Sequence, residues 1–102
     1  MLNTIISTSS NITVSINEVR EFAQGKGSLL FKMKTMRFFH EAFKVKSSYY
    51  LIVAEKVFID DKKEHYNIKR IDKNGNVQNV LQYGKYKSYQ QAKEALNRIV
   101  LR

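Results

Sequence analysis

The sequence predicts a single α+β domain, an antiparallel sheet with a C-terminal amphipathic helix packed on one face. Two observations predict this class. Two runs rich in β-branched and aromatic residues, 65–72 and 77–83, flank an Asn-Gly pair, which is a strong hairpin signal. After the second run, apolar residues recur at helical spacing towards the C-terminus. The length of 102 residues suits one domain, with residues 1–10 expected to form a loose N-terminal arm.

The first half of the chain predicts a strand, a helix and an ambiguous segment. Residues 11–16 alternate apolar and polar side chains, as a half-buried strand does. Asn17 is expected to cap a helix over residues 18–24. Residues 28–46 fit either a strand or a helix, because their apolar residues satisfy both spacings. We favour a strand over residues 29–35, followed by an irregular or helical connection.

The second half predicts a strand, a hairpin and the final helix. Residues 48–59 are rich in β-branched and aromatic residues and predict a strand, which the charged turn 60–64 follows. The hairpin is expected to turn at the Asn-Gly pair, because a type I′ turn needs positive φ at both central positions. Ser88 and Gln91 have the spacing of a capping box, which predicts the start of the last helix.

A two-residue turn at the Asn-Gly pair determines which side chains of the hairpin share a face. Ile68 then lies opposite Leu81, and both are expected in the core beneath the final helix. The other face is expected to be exposed and to carry side chains that suit base edges and phosphates, namely Asn67, Lys69, Gln78 and Gln82. The alternative is that a sheet with one wet face shows polar residues there whatever its function.

Two separated basic segments carry the net charge of +9. Residues 32–46 hold five Lys or Arg against one Glu, and residues 73–102 hold six against one. If the fold brings these segments together, they form a patch suited to phosphates. The residues expected to contact phosphates are Lys85, Lys87, Lys93, Lys32 and Lys34. The alternative is a soluble protein from an AT-rich genome, whose codons favour Lys, Asn, Ile and Tyr.

Catalytic and metal chemistry are not expected. The chain has no Cys, and neither of its two His has a carboxylate pair nearby in the sequence. Two lysines interrupt the acidic residues of 60–64 and would compete with a cation. We therefore expect no enzyme activity, no cofactor and no metal. The longest apolar run, 49–54, is far too short to cross a bilayer, and no signal-peptide pattern begins the chain. We expect a cytoplasmic protein without a membrane partner, in the host cytoplasm if it is viral.

The hairpin and the final helix share a residue pattern with known modules. The pattern comprises runs 66–75 and 83–88, followed in the helix by Ala92, Ala95 and Leu96. It resembles the three-stranded-sheet-plus-helix DNA-binding domains at the N-termini of tyrosine integrases, and it is similar to plant ethylene-response-type domains. Both resemblances imply a sheet that lies in the major groove. The end of the chain also resembles double-stranded-RNA-binding domains, in which a Gly-rich turn, a Ser and a Lys-rich helix start grip phosphates.

These observations predict a small basic protein that binds nucleic acid, duplex DNA in preference to RNA. Its size and composition suggest an accessory or regulatory protein of a virus or mobile element. The alternative is a non-enzymatic protein-interaction module for an acidic or host partner. In that case the edge strand expected at residues 11–16 favours a homodimer.

Overall fold

A five-stranded antiparallel sheet lies between two helices. The computed structural model describes residues 11–81, 84 and 86–100. The strands are β1 (Asn11–Ser15), β2 (Met36–Val45), β3 (Ser48–Glu55), β4 (His65–Ile71) and β5 (Val77–Val80). The helices are α1 (Ile16–Gly25) and α2 (Tyr89–Val100). The strands follow one another across the sheet in chain order, and α2 packs on one face, so the predicted α+β class is confirmed.

The central strand β3 is buried on both faces, because its alternate side chains meet different helices. Leu51 and Val53 belong to the core beneath α1, whereas Ile52 belongs to the core beneath α2. Such a strand reads as a nearly continuous apolar run, and this explains the strand predicted over residues 48–59. It ends earlier than predicted, at Glu55, and the residues beyond it form an exposed loop.

Both helices begin at side-chain caps. The Oγ of Ser15 accepts a hydrogen bond from the N–H of Glu18 (3.2 Å), so the cap lies two residues before the predicted Asn17. At α2, Ser88 Oγ accepts from the N–H of Gln91 (3.1 Å), and Gln91 Oε1 accepts from the N–H of Lys87 (3.0 Å). The first hydrogen bond confirms the predicted cap at Ser88, whereas Gln91 reaches one residue further back than in a capping box, to the N–H of Lys87 instead of that of Ser88.

The strand predicted over residues 29–35 is wrong, as is the irregular or helical connection after it. Residues Leu30–Lys32 form a 3-10 turn, and the strand is β2. The register of β2 against β3 shifts between Phe38 and Ala42, where extra residues bulge from the ladder. The bulge interrupts the alternation of apolar and polar side chains that marks a strand. The apolar residues of 28–46 therefore also fitted the spacing of a helix.

The hairpin exists as predicted, but its register is off by one residue. Ile71 pairs with Val77 and Ile68 pairs with Val80. The cause is a three-residue loop, closed by a hydrogen bond from the N–H of Gly75 to the carbonyl oxygen of Asp72 (2.9 Å), with Gly75 at φ 88°. A three-residue loop with a glycine at positive φ is the next commonest hairpin connection after the two-residue turn.

Three predictions about burial are wrong, one because of the shifted register and two because both faces of β4 are covered. Ile68 is buried as predicted, with 1% of its surface exposed, but Leu81 is 57% exposed and does not belong to the core. Asn67 and Lys69, predicted to be exposed, are only 1% and 5% exposed. The register slip accounts for Leu81, because it moves each side chain of β5 to the other face. Asn67 and Lys69 keep their predicted face of β4, opposite Ile68, and they are buried because that face meets the core beneath α1.

The chain leaves the sheet after β5 and returns to it before α2. Leu81 adopts φ 63°, and the ladder resumes where Tyr66 pairs with Tyr86, with the Tyr66 N–H donating to the Tyr86 carbonyl (3.1 Å). The predicted strand over residues 77–83 therefore ends at Val80. Gln82 and Lys85, two of the predicted contact residues, lie outside the described residues.

Candidate nucleic-acid interface

The predicted contact residues of β4 are engaged in an interior polar network. Lys69 Nζ lies 3.1 Å from Glu55 Oε1 and donates to Asn79 Oδ1 (2.6 Å). Asn67 Nδ2 donates to the same Glu55 oxygen (2.9 Å), and Asn67 Oδ1 accepts from the N–H of Gly84 (2.6 Å). These side chains therefore hydrogen-bond within the protein, and the binding face predicted from the two-residue turn does not exist.

The other predicted contact residues are dispersed. Lys87 is exposed at the start of α2, whereas Lys93 Nζ binds Glu41 Oε1 (3.1 Å), a contact that raises the pKa of Lys93. Lys32 and Lys34 are exposed on the segment that leads into β2. Gln78 is exposed on β5, and the structure does not bring these five residues onto one surface.

A different set of cations converges at one end of the sheet, which we call the basic end. Three turns meet there: the end of α1, the β2–β3 turn (46–47) and the β4–β5 turn (72–76). Tyr49 near the start of β3 pairs with Ile71 at the end of β4, so the two hairpin turns are neighbours. Because adjacent strands lie about 4.8 Å apart, these turns are separated by about 10 Å. The cations of the basic end are Lys26, Lys44, Lys46, Arg70 and Lys73.

Direct contacts join the elements of the basic end. A Cβ on Gly75 would collide with the side chain of Lys26, so the β4–β5 turn packs directly against the end of α1. Lys26 Nζ lies 5.8 Å from the ring centre of Phe22, and that ring lies 5.1 Å from the ring of Tyr49. Lys44 Nζ in turn lies 5.6 Å from the ring centre of Tyr49. Two ammonium groups are thus positioned by one pair of packed aromatic rings.

The segments of the basic end contain a single carboxylate, and a second lies at their border, where Glu18 Oε2 accepts from the Tyr49 hydroxyl (3.2 Å). Within the three segments that form it, 24–28, 44–49 and 70–78, Asp72 is the sole acidic residue. Its Oδ1 accepts from the N–H groups of Asn74 (2.9 Å) and Asn76 (3.0 Å). The hydrogen bond from the Asn76 backbone holds the pKa of Asp72 below its ordinary value. Asp72 therefore serves to hold the turn.

The five cations of the basic end are not neutralised by ion pairs. Over residues 11–81, 84 and 86–100, the ion pairs are three, and all lie elsewhere: Arg37–Glu64, Lys69–Glu55 and Lys93–Glu41. Arg70 lies on the α2 face of the sheet, opposite the face of Lys44 and Tyr49, and its guanidinium makes a neutral contact by donating to Gln78 Oε1 (3.2 Å). Among the predicted contact residues that the structure describes, Gln78 is thus the one that borders this surface. Lys44, Lys46 and Lys73 belong to the two basic segments of the sequence, whereas Lys26 and Arg70 do not. The sequence did not group these five cations because they lie on segments that are far apart along the chain.

Comparison with known proteins identifies one family. The model of a family of unknown function, DUF7447, matches residues 15–97. The chain belongs to the DUF7447 family. No curated protein and no solved structure matches it. The matched region runs from the cap of α1 into α2 and contains all three turns of the basic end.

The described part of this DUF7447 member shows neither a metal-ligand cluster nor a membrane span. No group of three or more His, Cys, Asp or Glu side chains in it could hold a metal ion. Among the same residues, neither helix is long and apolar enough to cross a bilayer.

Proposed function

We propose that this protein binds nucleic acid, duplex DNA in preference to RNA, through the basic end, in an accessory or regulatory role. The observation that carries the proposal is the presence of five cations at one end of the sheet, on three turns and the strand ends beside them, near a turn carboxylate that is already hydrogen-bonded. Such a concentration of unpaired positive charge attracts phosphates and releases their counterions.

The mode of binding that fits this surface is contact by turns with the phosphate backbone. The faces of β3 and β4 are covered, because α1 packs on one side and α2 on the other. A sheet laid in the major groove therefore lacks a free face over these central strands. The two hairpin turns, about 10 Å apart, reach phosphates on both sides of a groove, since the grooves of B-DNA are about 12 and 6 Å wide. Contacts of this kind position a protein and carry little base specificity.

A salt titration tests the proposal. Binding to a fluorescent DNA duplex is expected to weaken as salt increases, with a log–log slope of about 0.9 per contacted phosphate. An RNA duplex and single strands of the same sequence are expected to bind more weakly. Absence of binding at low salt, or an affinity that salt does not change, contradicts nucleic-acid binding.

Three triple variants, each of which removes three positive charges, locate the interface. The basic-end variant carries Lys26→Gln, Lys46→Gln and Lys73→Gln. The helix-start variant carries Lys85→Gln, Lys87→Gln and Lys93→Gln. The opposite-end variant changes lysines at the other end of the sheet, before β2 and after β3. It carries Lys32→Gln, Lys34→Gln and Lys62→Gln.

These variants share the same net charge, so a difference between them reports location. The basic-end variant is expected to lower the salt slope by about 2 to 3, equally for different sequences, because each lost phosphate contact removes about 0.9. The other two are expected to change the slope by less than about 1. A larger effect of the helix-start variant places the interface at α2, and equal effects of all three indicate attraction by net charge alone.

The second candidate function is a homodimeric protein-interaction module. The observation that favours it is β1, which is an edge strand of the sheet and pairs on one side with β2. Edge strands offer unpaired backbone groups to another chain. Light scattering across a concentration series measures the mass directly, and a partner retained after nuclease treatment distinguishes protein binding from nucleic-acid binding.

A further inference from the structure

The β3–β4 loop presents three consecutive apolar side chains to solvent. Val57, Phe58 and Ile59, which we call the apolar tip, are 62%, 66% and 59% exposed. Exposed apolar residues that occur singly need no explanation, but a contiguous group marks an interaction site. The Phe58 N–H donates to Asp61 Oδ2 (2.9 Å), and the Asp61 N–H donates to the Phe58 carbonyl (3.0 Å). These two hydrogen bonds close the loop and hold the tip outward.

Two exposed lysines and the exposed carboxylate of Asp60 follow the apolar tip, whereas Asp61 and Glu64 are engaged within the protein. Lys62 and Lys63 are exposed on the same loop. Glu64 Oε1 accepts from the guanidinium of Arg37 at 2.9 Å, and Asp61 accepts from the loop backbone. Residues 56–64 hold three lysines and three carboxylates, so the loop alone is formally neutral. The excess of positive charge at this end of the sheet comes from Arg37, Lys32 and Lys34 on the neighbouring segment.

A second segment adds apolar and basic side chains at the same end of the sheet. The N–H of Lys56 donates to the carbonyl of Thr35 (2.9 Å), which places the segment before β2 beside the start of the loop. On that segment Met33 is 46% exposed, and the lysines on either side of it, Lys32 and Lys34, are exposed as well. The apolar tip thus lies within a surface of four exposed lysines.

We propose that the apolar tip docks on the surface of an anionic lipid bilayer, with Phe58 inserted between the lipids and the lysines at the headgroup phosphates. The arrangement matches the layers of such a surface, where anionic headgroups cover an apolar interior. A stable protein interface needs about 800 Å² from each partner, more than three side chains on a projecting loop provide. A bilayer has no such threshold, because every inserted apolar side chain adds to the affinity.

Surface docking requires no membrane span, so it is compatible with helices that cannot cross a bilayer. The expectation of no membrane partner came from the absence of a spanning apolar run, and the exposed loop changes that expectation. The tip lies where β3 ends, whereas the basic end lies where β3 begins. The two surfaces are therefore separate, and lipid docking does not depend on the proposed nucleic-acid binding.

A single-tryptophan reporter tests the insertion directly. The chain contains no Trp, so the Phe58→Trp variant has one indole, located in the tip. With vesicles of equimolar phosphatidylserine and phosphatidylcholine, its emission is expected to shift to the blue and to be quenched by brominated acyl chains. The control is Leu81→Trp, which places the indole at a residue that is 57% exposed and directly follows β5. The emission of this control variant is expected to stay unshifted.

Three results of the reporter experiment overturn the proposal. The first is vesicle binding without a shift specific to Phe58→Trp, which indicates attachment by charge alone. The second is a blue shift in lipid-free buffer that grows with protein concentration, which indicates that a second copy covers the tip. The third is the same shift on addition of duplex DNA without lipid, which assigns the tip to the nucleic-acid interface.

An affinity measurement supplies an independent test. The variant Val57→Ser, Phe58→Ser, Ile59→Ser is expected to bind the same vesicles at least about tenfold more weakly, because it removes the apolar contribution. The matched control is Leu81→Asn, which makes an exposed apolar residue polar and suits the positive φ at that position. Its affinity is expected to be unchanged. Unchanged vesicle affinity in the triple Ser variant, with the unfolding midpoint of the parent protein, overturns the proposal.

Discussion

Lys69 and Glu55 form an ion pair in the interior of the protein, with Nζ and Oε1 separated by 3.1 Å and side chains that are only 7% and 12% exposed. The pair joins β4 to the end of β3 and shares its oxygen with the amide of Asn67. Isolated charges are costly in such a place, so each member requires the other.

Removing one member of this pair is expected to destabilise the protein strongly. Lys69→Met leaves the Glu55 carboxylate without its cation, and the expected loss in the free energy of unfolding is about 3–5 kcal/mol. Urea titration measures this loss. The double variant Lys69→Met, Glu55→Gln removes both charges and is expected to recover much of the stability. A single variant that loses less than about 1 kcal/mol shows that the pair behaves like an exposed one.

Asn67 is expected to stabilise the segment between β5 and α2. Asn67→Ala removes its hydrogen bonds to Glu55 and to the N–H of Gly84 and leaves part-buried groups unpaired. The expected cost is about 1–3 kcal/mol. Amide hydrogen exchange at Gly84 is expected to accelerate more than exchange in α1, which serves as the internal control. Unchanged protection of the Gly84 amide contradicts the role given to this hydrogen bond.

Alanine substitutions at Gly75 and Gly27 distinguish the stability cost of backbone strain from that of a steric collision. Both have positive φ, 88° and 85°, but a Cβ meets Lys26 only at Gly75, while nothing lies within 4 Å at Gly27. Gly27→Ala is expected to cost about 1–2 kcal/mol through strain. Gly75→Ala is expected to cost about 1–3 kcal/mol more, because overpacking is added. Thermal unfolding measures both, and equal losses mean that the turn does not pack against the helix end.

The hairpin register can be tested by two truncations. Ile68→Ala is expected to cost about 2–5 kcal/mol, as other buried truncations do. Leu81→Ala is expected to change the free energy of unfolding by less than about 0.5 kcal/mol, because the side chain is exposed. A two-residue turn would place Leu81 opposite Ile68 in the core and make the two losses similar. Chemical denaturation of both variants therefore distinguishes the two registers.

Acid is expected to destabilise the protein through Asp72 and Glu64. Hydrogen bonds from the Asn76 backbone and from Arg37, respectively, lower the pKa values of the two carboxyls. A carboxyl whose pKa is lower in the folded state stabilises the protein above its unfolded pKa of about 4, and this stability is lost as the pH falls through the folded pKa. Asp72→Asn is expected to flatten the fall in stability below about pH 4, as measured by urea titration. An unchanged pH dependence contradicts this assignment, and Asp60→Asn serves as the control.

The sequence by itself determined the features that depend on near neighbours. The cap at Ser88 and Gln91, the edge strand β1, the buried strand β3 and the existence of a hairpin all follow from local hydrogen bonds or side-chain periodicity. These interactions act within a few residues, so the residues responsible for them can be read together in the sequence. The α+β class followed from them.

Only the tertiary structure decided the hairpin register, the identity of β2 and the position of the charged surfaces. The packing of Gly75 against Lys26 accompanies a loop one residue longer than the two-residue alternative, and that one residue places Val80 instead of Leu81 opposite Ile68. The burial of Asn67 and Lys69 was decided by α1, which belongs to a distant part of the chain and covers the other face of the sheet. The basic end likewise combines turns that are far apart in the chain. Contacts of this kind depend on which elements pack together, and residue spacing along one segment does not contain that information.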